Sequence, residues 1–121
     1  MDEKSLSFLN QLIEKTKQGK LSWSTGFEDG QFKTVLPDGE LAFVIQVKGE
    51  VRKFMMLDDH QEVIIENAVT RDEAHLDHLH SPDGWTDRLY EAIGKLQDLA
   101  RSSALRVNER LAKAERQLAA I

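Results

Sequence analysis

The 121 residues include no cysteine, and 16 Lys and Arg stand against 21 Asp and Glu, a net charge of −5. That composition excludes a disulfide scaffold, a thiolate zinc site and a cysteine nucleophile, and it makes general nucleic-acid binding unlikely to be the role. The length suits a single domain spanning 1–121, and the first 20 residues lack the apolar run of a signal peptide or membrane span, so a cytoplasmic protein is expected.

Residues 4–18 read as an amphipathic helix. Leu6, Leu9, Leu12, Ile13 and Thr16 fall on one side, Lys15 and Lys17 occupy the last turn, and Gly19 is placed to end it. The period then changes from about 3.6 to 2. Alternating apolar residues over 21–27, 32–36, 41–47, 51–57 and 63–65 predict five short strands.

The turns between these strands fix a register. Asp29-Gly30 and Asp38-Gly39 are strong two-residue hairpin signals; Gly49-Glu50 is a weaker one and Asp59-His60 weaker still. With a two-residue loop at each, Phe27 opposes Phe32, Trp23 opposes Leu36, and Leu36 neighbours Leu41. Ile45 then opposes Phe54, Phe43 opposes Met56, and Met56 opposes Val63. One face collects Leu21, Trp23, Phe27, Phe32, Leu36, Leu41, Phe43, Ile45, Val47, Phe54, Met56, Val63 and Ile65. A one-residue slip would scatter this set across both faces. The other face mixes Val35, Ala42, Val44, Met55, Leu57 and Ile64 with Lys33, Gln46, Lys48, Lys53 and Glu62, and reads either as a half-solvated surface or as a binding surface.

Thr70 and Glu73 have capping-box spacing and predict a short helix over 71–80. It carries the one cluster of potential metal ligands: Asp72, His75, His78 and His80, imidazoles and a carboxylate suited to a divalent ion, with Asp77 or Asp83 nearby as an acid or base. Against this stand the absence of a His-Glu-x-x-His spacing and the need of Leu76 and Leu79 for the core-facing side. Polar histidines in an acidic linker account for the same residues. Asp58-Asp59-His60 pairs an acid with a base, but its place at a hairpin tip explains its polarity.

The remaining stretch, 82–121, predicts one long helix with Ser81 as its N-cap, Pro82 in the first helical position and Gly94 the one glycine in its body. Unbroken it would measure roughly 60 Å, far more than a compact chain of this size needs. Its apolar residues fall in two sets. Trp85, Leu89, Ile93, Leu96 and Ala100 form a stripe suited to covering a sheet. Ala104, Val107, Leu111, Ala114, Leu118 and Ile121 alternate steps of three and four, a heptad seam of two and a half repeats that either curves with the rest of the helix over the chain's own sheet or pairs with a second chain. Arg101, Ser102 and Ser103 between them leave room for a kink or a break. The charge divides as well: residues 1–83 carry seven more acidic than basic side chains, and 84–121 two more basic than acidic. Arg101, Arg106, Arg110, Lys113 and Arg116 leave the last helix a small opening toward nucleic acid.

The sequence thus predicts an α+β fold: an N-terminal helix, a five-stranded antiparallel meander, a short connecting helix and a long C-terminal helix, with the helices packed on one sheet face. No phosphate-binding loop or nucleophile elbow is present, so catalysis is not the expectation. Two functional readings remain open. The first is a small interaction or regulatory module in which 104–121 extends as an association helix, forming a homodimer or holding a protein partner through Val107, Leu111, Ala114, Leu118 and Ile121. The second is a metal-dependent protein, with a hydrolase as one option, built on the cluster at 72–83.

Overall fold

A computed structural model describes residues 3–26, 28–80 and 85–121, and among these the side chains other than those of residues 3, 76–80 and 85. The predicted Ser81 cap, Pro82 and Phe27 lie outside the described residues. The chain forms helix α1 (Glu3–Lys17), strands β1 (Ser24–Thr25), β2 (Gln31–Val35), β3 (Ala42–Lys48), β4 (Val51–Leu57) and β5 (Val63–Thr70), then helices α2 (Arg71–His80) and α3 (Trp85–Ala119). The strands pair antiparallel in sequence order, a five-stranded meander.

Helix α1 stops where the sequence predicts. Gly19 takes a φ of 74°, the Lys20 amide reaches the Lys15 carbonyl at 2.9 Å, and the Gly19 amide reaches that of Thr16 at 3.1 Å. These two bonds form a Schellman motif, which favours glycine at the left-handed position.

The two central pairings carry the predicted register. Ile45 faces Phe54, Phe43 faces Met56, and the Leu36 amide donates to the Leu41 carbonyl. The outer two pairings differ from expectation, each by two residues. At the first hairpin Thr25, not Phe27, stands opposite Phe32, because the Gly26 amide bonds the Gln31 carbonyl and the loop holds four residues. Gly30 sits in that loop with φ 73°, and a Cβ there would run into the Val47 carbonyl oxygen. At the last hairpin Met56 faces Ile65 rather than Val63, with a bulge between Met56 and Leu57. Asp58 organises this longer turn: its carboxylate accepts from the amides of His60 and Glu62, both at 2.9 Å, and Gln61 adopts φ 66°. Val63 consequently lies opposite Leu57 and is half-exposed, not part of the core face.

Strand β5 also runs five residues beyond the predicted end at Ile65, burying Val69 and linking Asn67 to the Ser5 hydroxyl at 2.7 Å. Thr70 then serves as the cap of α2, its hydroxyl accepting from the Glu73 amide at 3.1 Å.

One face of the sheet is covered by α1 and α3. Trp23, Phe32, Phe43, Ile45, Phe54 and Met56 meet Leu9, Leu12 and Ile13 of α1 and Leu89, Ile93, Leu96 and Ala100 of α3 in one core. The Phe43 ring stacks on Phe54 and meets Phe8 at a tilt, both with centroids 5.9 Å apart. Arg52 also faces this side, where the alternation leaves a polar residue among apolar ones. Its guanidinium lies 3.9 Å from the centre of the Tyr90 ring and donates to the Tyr90 carbonyl at 2.8 Å. Gly94 makes this fit: a Cβ there would collide with the guanidinium.

Candidate association site

Helix α3 contains 35 residues and spans about 52 Å at 1.5 Å per residue. No break occurs at Arg101–Ser103; α-helix continues through all three residues. Ser102 turns outward and bonds the Asp98 carbonyl at 3.2 Å, a pattern compatible with continued helix. Ser103 turns inward, and its hydroxyl accepts the backbone amide of Trp23 at 3.0 Å. The Trp23 indole in turn donates to the Thr16 hydroxyl at 2.9 Å, which bonds the Leu12 carbonyl. A buried chain of hydrogen bonds therefore joins the residue just before β1 to α1 and α3 at one point. It is the last deep attachment of α3 to the rest of the chain.

Beyond that point burial stops. Ala104 is the final buried residue, Val107 is half-buried, and every other position from 105 to 121 is exposed. Leu111 is 60% exposed, Leu118 72%, and Ile121 entirely. At 100° per residue Val107, Leu111, Ala114 and Leu118 lie in line with Ile93, Leu96 and Ala100. The stripe that covers the sheet continues, on the same side of the rod, with nothing against it among the described residues.

The linker histidines separate differently. Asp72 and His75 project into solvent from α2, while the side chains of His78 and His80 lie outside those described. Among the described residues no three His, Asp or Glu side chains stand close enough to hold a metal ion.

The outer sheet face is partly filled by its own side chains. Ala42, Val44 and Gln46 are buried between neighbouring strands, Gln46 donating to Glu28 at 2.6 Å. Lys53 pairs with Glu66 at 3.1 Å. Lys33 donates to Gln61 at 2.8 Å across an open groove of about 500 Å³ floored by Val44, Met55 and Leu57. Val35 and Ile64 remain half-exposed at its margins, so the mixture read from the sequence persists.

Sequence reasoning missed the root of α3, where Trp23 and Ser103 meet. The signal was a serine on the buried side of the stripe, at g in the heptad frame that places Ala104 at a. Among the described residues no helix is long and apolar enough to cross a membrane. No protein-family model, curated protein or solved structure matches the chain.

Proposed function

We propose that this protein is a small interaction module that self-associates through the exposed part of α3, with Val107, Leu111, Ala114 and Leu118 on the helix, and Ile121 just past its end, as the contact. One observation carries the reading: the apolar stripe of α3 keeps its spacing past Ala104, where the sheet no longer covers it. A solvated helix has no physical need for such a stripe, because exposed Leu and Ile neither add helix propensity over Glu or Lys nor find partners in water. Most helical stability in proteins comes from packing an amphipathic face, and a helical stretch as short as the uncovered 105–119 is marginal alone. The heptad spacing suits another helix rather than a flat surface. A second copy carries that spacing already.

Replacing Leu111 and Leu118 together by Glu tests this. The native mass spectrum of the unchanged chain at micromolar concentration is expected to show a dimer, and that of the double variant a monomer. Near-ultraviolet circular dichroism, dominated by the packed aromatic residues, stays the same because neither leucine reaches the core. A monomer for the unchanged chain at all accessible concentrations defeats the proposal.

A further inference from the structure

We infer that the second copy packs antiparallel, its α3 running opposite to the first. The inference rests on the self-association just proposed and adds the partner's orientation, which follows from where the sheet sits. Along 89–104 the stripe of α3 is covered by its own sheet and α1; Val107 is half-buried, and beyond it the stripe is bare. Both stretches face the same way, and the helix between them is unbroken.

In a parallel pair, residues at equal heights meet. Two helices touching along 107–121 have axes roughly 8–10 Å apart. Continued straight to 89–104, they would face each other across that same gap, yet each carries a sheet on the facing side. A packed sheet needs roughly 10 Å of depth, so two sheets would compete for space too narrow for one. Splaying the helices would take a break in α3, and the α-helix is continuous from Trp85 to Ala119.

An antiparallel pair has no such conflict. The partner's helix lies along 105–121 in the place that the sheet occupies along 89–104, and the two sheet-bearing bodies sit at opposite ends. The side chains fit this arrangement as well. Antiparallel helices set a positions against d positions, which puts Val107 opposite Leu118 of the partner subunit and Leu111 opposite Ala114 of the partner subunit. The Leu111 layer sets a large residue against a small one, as interlocking layers require. On the flanks Asn108 comes beside Glu115 of the partner subunit and Arg110 beside Gln117 of the partner subunit. No like charges meet. A parallel pair would instead join Arg110 to Glu115 of the partner subunit, but an exposed ion pair adds too little to offset overlapping bodies.

The absence of native cysteine makes the test direct. Protein carrying Val107→Cys is mixed with protein carrying Leu118→Cys and oxidised gently. The antiparallel pair gives the mixed disulfide as main product, because only closely placed Cβ atoms can be bridged. A self-linked product of Val107→Cys alone overturns the orientation. In parallel, a spin label at the exposed Arg101→Cys reports spacing without touching the seam: roughly 35 Å is expected for the antiparallel pair, against less than about 20 Å for a parallel one. A monomeric mass for the unmodified chain overturns the association itself, a failure distinct from a dimer with the short spacing. A dimer with the long spacing but no mixed disulfide overturns the proposed register.

Discussion

The two halves of α3 share a pattern and differ in environment. Leu89, Ile93, Leu96 and Ala100 are almost completely buried; Leu111 and Leu118, on the same side of the same rod, lie mostly in water. A helical stripe therefore states only that a face must be covered. What covers it depends on how far the sheet reaches. Here the sheet ends near the level of Trp23, and the stripe does not.

Truncating equivalent residues in the two halves breaks the comparison most sharply. Ile93→Ala removes a fully buried side chain from the middle of the core and is expected to cost about 2–5 kcal/mol of stability. Urea unfolding followed by circular dichroism measures it; a loss below 1 kcal/mol would mean that α3 is not packed on the sheet as described.

At the border between the halves the expected effect is intermediate. Ser103→Ala deprives the buried Trp23 amide of its acceptor, a loss of about 1–3 kcal/mol. The same unfolding experiment applies, with Ser102→Ala as the reference because that hydroxyl is exposed and bonds only within its own helix. Equal effects at the two serines would remove the distinction between root and shaft.

The smallest change in the folding of a single chain belongs to the free half. Leu118→Ala, studied at concentrations where the chain is monomeric, should alter stability by less than about 0.5 kcal/mol, as expected for a surface substitution away from packed features. Its effect should emerge as concentration rises and the dimer forms. A large loss in the monomer would show that the end of α3 folds back onto its own sheet.

Much of the fold was legible because two kinds of signal agreed. Gly19, Asp38-Gly39 and Gly49-Glu50 marked stops and turns, and the alternation between them placed Phe43, Ile45, Phe54 and Met56 on one face, where the core has them. The outer hairpins were legible in their faces but not their pairing. Both loops are longer than two residues, one closed by the bond from the Gln31 amide to the Glu28 carbonyl, the other by the Asp58 carboxylate. Each shift was even, so Trp23 and Ile65 kept their sides. Val63 lost its place because the bulge breaks the alternation just there. The end of β5 was hidden by composition: Glu66, Asn67 and Ala68 precede Val69 with residues that do not read as strand, and Asn67 is accommodated through Ser5 on a helix more than sixty residues earlier. Arg52 was similarly invisible, since it reaches its partner Tyr90 only through the space left by Gly94. In the candidate association site the stripe was evident from spacing alone, whereas the extent of its exposure required knowing where the sheet stops.

The bond from the Trp23 amide to Ser103 gives α3 a mechanical character. A rod gripped along one half and free along the other is a cantilever, and a load at its tip is felt as a bending moment at the clamp. In this molecule the clamp is the Trp23, Thr16 and Ser103 cluster, and the free helical arm, 105–119, is about 23 Å long. Whatever pulls on Leu118 works with that leverage on the Ser103 hydroxyl and the Trp23 amide bonded to it, so a load applied far outside the core is carried at a buried hydrogen bond.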